Sequence, residues 1–159
     1  MTPAIKLLEK NGITHSVDTY QTDAADRNFG EKAAAALGRD PHQVFKTLLV
    51  VVDADTQNPV VAIVPVANQL DTKRLAAALG ARRAQMADPK LAERKTGYQV
   101  GGISPIAQKQ TLVTVIDETA QLFDQIFVSA GRRGLELGLA PEDLATLCQA
   151  RFADICKPE

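Results

Sequence analysis

Helical and strand periods follow one another along this chain, with clear punctuation between them. Thr2 and Pro3 open an apolar-periodic segment that Gly12 ends, which predicts a helix with a threonine cap and proline in its first turn. Residues 13–20 predict a strand, because Ile13, His15 and Val17 alternate with polar neighbours. The polar residues 21–28 predict loop, and residues 30–37 an alanine-rich helix closed by Gly38. Residues 44–53 are β-branched and leucine-rich, the pattern of a strand buried on both faces. A polar turn over 53–59 and a second apolar run at 60–65 complete a hairpin. Asp71 caps a helix over 72–79, and Asp88-Pro89 opens another that ends by Gly97. Residues 111–116, 125–129 and 135–139 predict further strands, and Pro141 starts a last helix through Cys148.

Five helices and six or seven strands without a regular βαβ rhythm predict an α+β fold with a mixed sheet. The 159 residues suit one domain over 1–159, and 45% apolar residues supply a core. No linker, repeat or low-complexity tract divides the chain. With no N-terminal apolar run of signal-peptide length and no membrane-length segment, the expectation is a cytoplasmic protein with no membrane partner. A net charge of −1 argues against indiscriminate coating of nucleic acid. Basic pairs at Lys73-Arg74 and Arg82-Arg83 read as solvated faces; Arg132-Arg133 differs because it lies inside a glycine loop, where a guanidinium can meet a phosphate.

Chemistry concentrates in a few places. The stretch Thr96-Gly97-Tyr98-Gln99-Val100-Gly101-Gly102-Ile103-Ser104-Pro105 packs three glycines into ten residues, allowing positive φ and close backbone approach to a ligand. Lys46 stands alone at the head of the apolar run Val44-Phe45-Lys46-Thr47-Leu48-Leu49-Val50. Two readings of it stay open on residues alone: a partly desolvated cation that polarises a carbonyl or pairs with phosphate, or a strand-edge lysine reaching to water. His15 and His42 lack metal-ligand spacing, and no nucleophile elbow, phosphate loop or dinucleotide fingerprint is present. Cys148 and Cys156 are too few for a disulfide framework or zinc site; Cys148 shares a helical face with Leu144 and Leu147 and reads as a small hydrophobe. No metal or other cofactor is expected. Tyr20, Phe29, Phe45 and Tyr98 lie at loop–element junctions and offer either core packing or a flat face for a nucleobase. Phe123, Phe127 and Phe152 are assigned to the core.

The order and spacing of Asn28-Phe29-Gly30, Phe45-Lys46-Thr47-Leu48-Leu49-Val50, Lys95-Thr96-Gly97-Tyr98 and Gly101-Gly102-Ile103-Ser104-Pro105 resemble the bacterial YbaK/EbsC family of free-standing Cys-tRNA(Pro) deacylases, relatives of the prolyl-tRNA synthetase editing domain. The resemblance spans essentially the whole chain. It implies a curved, barrel-like mixed β-sheet with helices packed outside, and trans-editing of Cys-tRNA(Pro), extending to Cys-tRNA(Cys). It further implies chemistry without zinc or a protein nucleophile, in which the substrate thiol attacks its own ester carbonyl and leaves as a thiolactone. In that scheme Lys46 orients or polarises the aminoacyl ester, with Thr47 beside it. Amides around Gly101 and Gly102 hold the ester or the terminal ribose. Tyr20, Phe29 and Gly30 shape the cysteine and adenosine pockets, while Ser129, Gly131 and Arg132 close the far wall with Glu136. The implied partners are the 3′ end of Cys-tRNA(Pro) and, transiently, prolyl-tRNA synthetase.

Four positions depart from the resemblance. Ala130 stands where a Ser-Gly-Gly run is common, Ala107 replaces a frequent glycine, Glu136 replaces aspartate on a longer arm, and Gly138 falls where an acid is common. Two alternatives remain open: an Ala-tRNA(Pro)-type deacylase of the same fold, and a non-catalytic aminoacyl-tRNA or nucleotide-binding module.

Overall fold

The Thr2 hydroxyl accepts from the Ile5 N–H at 3.3 Å and donates to the Ala130 carbonyl at 2.5 Å, so one side chain starts the first helix and staples it to a distant strand. The computed structural model describes residues 1–23 and 29–159. From the N-terminus run α1 (Pro3–Lys10), β1 (Ser16–Thr19), α2 (Phe29–Ala36), β2 (Phe45–Val52), β3 (Asp55–Pro65), α3 (Thr72–Ala78), β4 (Ala84–Met86) and α4 (Pro89–Thr96). Then come β5 (Thr114–Asp117), a 3-10 turn (Glu118–Leu122), β6 (Ile126–Arg132), β7 (Leu135–Leu139), α5 (Pro141–Cys148) and β8 (Arg151–Ala153). Caps act as the sequence indicates: Asp71 accepts from the Lys73 and Arg74 amides, Asp88 from Lys90, and Gly97 ends α4 at φ 80°. Among the described residues no helix is long and apolar enough to cross a membrane.

The strands form two sheets. One is antiparallel in the order β1-β7-β6; the other is mixed, β4-β2-β3-β5-β8, with β5 parallel to both β3 and β8. Val44 bridges to Phe127 in parallel, and the Phe127 N–H donates to the Gln43 carbonyl at 3.1 Å. That bridge sutures the sheets beside β2 and β6 without closing them into a full barrel.

Burial on both faces of the central hairpin is visible residue by residue. Phe45, Leu49, Val61 and Ile63 enter a core that also takes Ala4, Ile5 and Leu8 of α1 and Leu144 of α5. Their neighbours Val50, Ala62 and Val64 enter a second core with Leu75 of α3 and Ile155. Each fully buried aliphatic contributes about 1.5–3 kcal/mol relative to exposure, so the hairpin anchors both helical layers.

Three local expectations are corrected. The hairpin turns on only Asp53 (φ 50°) and Ala54 (φ 61°), not on a longer polar loop. Two left-handed residues match the strands' twist, and the sequence carries no glycine there to advertise it. On β1 the alternation is reversed: Val17 is 41% exposed, while Ser16 and Asp18 are half-buried. Pairing with β7 sets this register, opposing Asp18 to Glu136, and Arg39 satisfies the inward acid. The three-residue strands β4 and β8 and the 3-10 turn were not foreseen; three residues carry no readable period.

Candidate active site

A cavity of about 340 Å³ opens between α2, the start of β2, the loop after α4 and the β6–β7 pair. Of the residues expected from sequence, Tyr20, Phe29, Gly30, Lys46, Thr47, Gly101, Ser129 and Glu136 line it. These positions come from six separate stretches of the chain, and folding alone brings them together. Gly102, Gly131 and Arg132 do not line the cavity, and the reason is packing. A Cβ on Gly102 would sit 2.8 Å from the Arg132 backbone, and one on Gly131 (φ 104°) 2.7 Å from the Tyr98 ring. These glycines let the two loops lie directly on each other. Arg132 points to solvent.

Gly101 (φ 91°) is held more tightly still. A Cβ there would fall 2.7 Å from both the Arg133 Nε and the Phe29 ring. Arg133 stacks over Phe29 with its guanidinium 4.6 Å from the ring centre, and its Nε donates to the Val100 carbonyl at 3.0 Å. Loop, ring and guanidinium therefore form one stack at the cavity wall. Within the loop, the Gly102 amide donates to Gln99 at 2.9 Å and the Val100 amide to the Glu93 carboxylate at 2.8 Å. Those two donors are committed internally. The amide between them, on Gly101, has no acceptor among the described residues.

Lys46 is half-buried at the start of β2, paired in register with Val64 of β3. Burial pulls its ammonium below the ordinary lysine range, and the Glu31 carboxylate on α2 partly opposes that shift. Beside it the Thr47 hydroxyl oxygen is buried with no hydrogen-bond partner among the described residues. Across the cavity Glu136 is 3% exposed, and burial raises its carboxyl to about 7, against the lowering effect of Arg39. Ser129 faces Glu136 from the neighbouring strand, and its hydroxyl accepts from the Gly131 amide at 3.2 Å. Tyr20 is half-buried, and burial pushes its phenol up. The site thus sets one desolvated cation and one desolvated acid in an apolar bowl, with buried polar oxygens lacking partners.

The other aromatics separate by role. Phe45 lines the cavity floor but belongs to the main core at 2% exposure. Tyr98 lies outside the cavity, its hydroxyl donating to the Ile106 carbonyl at 2.6 Å, so it supports the glycine loops. Phe127 is buried, while Phe123 and Phe152 are half-buried against the core. His42 is occupied on the surface by Asp40 and Glu159, and His15 bonds the Ile13 carbonyl. Burial pushes the Cys148 and Cys156 thiols up to about 12, which suits inert packing. Sequence reasoning missed Glu31 and Arg39, which no motif marks because their relevance arises from contacts made only in three dimensions. Of the flagged pair Arg132-Arg133, it is Arg133 that joins the cavity wall, by stacking on Phe29.

The aminoacyl-tRNA editing domain family matches residues 27–147. The chain is 36% identical over 158 residues to EbsC of Enterococcus faecalis, named for Cys-tRNA(Pro)/Cys-tRNA(Cys) deacylation; the match covers 99% of this chain and 94% of that one. It is 29% identical over 152 residues to the multifunctional Ser/Thr-tRNA deacylase ProXp-y of Escherichia coli, covering 94% and 89%. A crystal structure described as a trans-editing enzyme for prolyl-tRNA synthetase superposes with a TM-score of 0.83 over 99% of both chains, at 22% identity, and speaks to the fold alone. Family and fold agree along nearly the whole length, and the chain belongs to the aminoacyl-tRNA editing domain family.

Proposed function

We propose that this protein is a trans-editing deacylase that clears cysteine from Cys-tRNA(Pro), and that the thiol of the attached cysteine is the nucleophile. Aminoacyl-tRNA deacylation rests on the family and on the two deacylase relatives. The choice of cysteine rests on the more similar relative and on the inventory of the cavity. Its hydroxyl-bearing residues, Tyr20, Thr47 and Ser129, have no imidazole in the cavity lining beside them, since His15 and His42 lie elsewhere. A substrate that brings its own nucleophile suits such a wall.

Lys46 carries the reading. In the proposed step the substrate sulfur forms a bond to the ester carbonyl carbon, and charge gathers on the carbonyl oxygen. The bond from that carbon to the terminal ribose oxygen then breaks. The thiol proton ends on the departing ribose oxygen, and a four-membered thiolactone is released. A half-desolvated ammonium is effective at stabilising that oxygen charge, because the field of a cation is weakly screened in a low dielectric. The Gly101 amide is the second donor in this scheme. Holding thiol and ester together matters as much, since a well-oriented tethered nucleophile reaches effective molarities of about 10⁵–10⁸ M. Phe29, stacked with Arg133, offers the flat face for the terminal adenine. Selection of the proline tRNA falls to prolyl-tRNA synthetase as a transient partner, because a chain of net charge −1 has little basic surface for reading a tRNA body.

A second reading has one specific observation behind it: Glu136, with its carboxyl near 7, could serve as base for a water and give a thiol-independent deacylase. Single-turnover deacylation of Cys-, S-methyl-Cys-, Ser- and Ala-tRNA(Pro), with Cys-tRNA(Cys) in parallel, separates the two. The thiol mechanism requires fast release of cysteine only. Comparable rates for all four prolyl-tRNA esters would establish water as the nucleophile.

A further inference from the structure

Three charged groups meet where β1 runs beside β7. Asp18 and Glu136 are cross-strand partners, and Arg39, just beyond the end of α2, enters between them. Its guanidinium hydrogen-bonds to Asp18, and its Nε lies 3.4 Å from Glu136 Oε1. The same guanidinium stacks 3.5 Å from the centre of the Phe127 ring, which packs with Ala34, Val44 and Val66. Arg39 is thereby fixed on three sides. Its contact with Glu136 is an ion pair rather than a hydrogen bond, since Arg39 Nε and Glu136 Oε1 are both buried without a hydrogen-bond partner among the described residues. Glu136 Oε1, the oxygen turned to Arg39, is enclosed, while the Glu136 side chain lines the cavity wall, where a buried carboxylate is costly unless it is paired.

We infer that Arg39 is a positioning residue of this site: clamped by Asp18 and Phe127, it holds the Glu136 carboxylate in place in the cavity wall and favours its charged form, ready to accept from a hydrogen-bond donor or ammonium of the aminoacyl end. The inference rests on the deacylase reading above for its kinetic consequence only. The charged or titratable groups around Glu136 are Asp18 and Tyr20 from the β1 side, Arg39 from the end of α2, and Lys46 from β2 across the cavity. Asp18 opposes ionisation of Glu136 and Arg39 favours it. Removing Arg39 therefore raises the pH at which Glu136 becomes charged, and leaves Asp18 opposing it alone.

The test uses the full chain and three proteins: parent, Arg39→Gln and Arg39→Lys. With Glu136 half-ionised near pH 7 in the parent, a tenfold tighter proton in Arg39→Gln leaves roughly one carboxylate in eleven charged. The expected loss in kcat/KM for Cys-tRNA(Pro) is about fivefold at pH 7, narrowing to within about twofold at pH 8.5 after subtraction of the uncatalysed rate. The substrate amine titrates alike for both enzymes and cancels in the ratio. Arg39→Lys, which keeps the charge, should restore most of the activity at pH 7. Carbon-13 NMR titration of the glutamate carboxyls reads the same shift without any substrate. A parent-to-variant ratio that stays flat with pH, or a Glu136 carboxyl titrating at the same pH in parent and Arg39→Gln, overturns the inference. If the parent itself deacylates nothing, the functional reading fails while the NMR arm still decides the role of Arg39.

Discussion

Replacing Gly101 by alanine tests whether the glycine loop is a built part of the site or only a turn. Two costs add at this position. The backbone sits at φ 91°, where an alanine pays about 1–2 kcal/mol. The new methyl also lands 2.7 Å from the Phe29 ring and the Arg133 Nε, so the stack must open. Losing the exposed cation–π contact adds about 0.5–1 kcal/mol. The sum, about 1.5–3 kcal/mol, corresponds to a fall of roughly 3–12 °C in Tm for a chain of this size. Gly12 supplies the control: it has φ 64°, but a Cβ there meets nothing within 4 Å. Gly12→Ala should show the backbone cost alone, roughly 2–8 °C, with deacylation unchanged. Gly101→Ala should fall further in Tm and lose at least about tenfold in kcat/KM, since the stack borders the cavity. Thermal denaturation and single-turnover deacylation of both variants decide the matter. Equal melting points and equal activity would refute the claim that the Phe29–Arg133 stack matters.

Two further outcomes follow from the same physics. Ala107 holds φ 58° without a glycine, so Ala107→Gly should raise stability by about 0.5–1 kcal/mol despite the looser unfolded chain, read as a Tm rise of roughly 1–4 °C. Glu31 opposes the burial that lowers the Lys46 ammonium; in Glu31→Gln that support is gone, Lys46 loses its proton at lower pH, and the alkaline limb of the pH–rate profile should move down. An unmoved alkaline limb would mean that Lys46 does not titrate on the reaction path.

Where the sequence was legible, the signal was local. Caps at Thr2, Asp71 and Asp88 and the doubly buried hairpin needed only neighbours in sequence to be recognised. Eight of the eleven expected site residues line one cavity because the motifs that flag them sit on strand ends and loops that the sheet brings together. What escaped is long-range. Gly102 and Gly131 read as ligand-approach glycines, whereas each faces another loop or ring, a distinction invisible without the packing partner. The inward turn of Asp18 depends on the β7 register, and Arg39 gains meaning only after that register places two acids around it. The left-handed Ala107 stands at the position where a glycine was missed in the sequence, so a departure from the resemblance reappears as backbone strain.

The central claim is that Lys46 stabilises charge on the ester oxygen within this cavity, and Lys46→Ala addresses it most directly. Single-turnover deacylation of Cys-tRNA(Pro) by the parent and by Lys46→Ala is the measurement, with circular dichroism establishing that both are folded. Removal of a partly buried cation from a partly apolar wall should leave the fold intact. The expected result is a rate at least about tenfold lower in the variant, a loss of roughly 1.4 kcal/mol or more of transition-state stabilisation. A folded Lys46→Ala protein that releases cysteine at the parental rate would contradict the account.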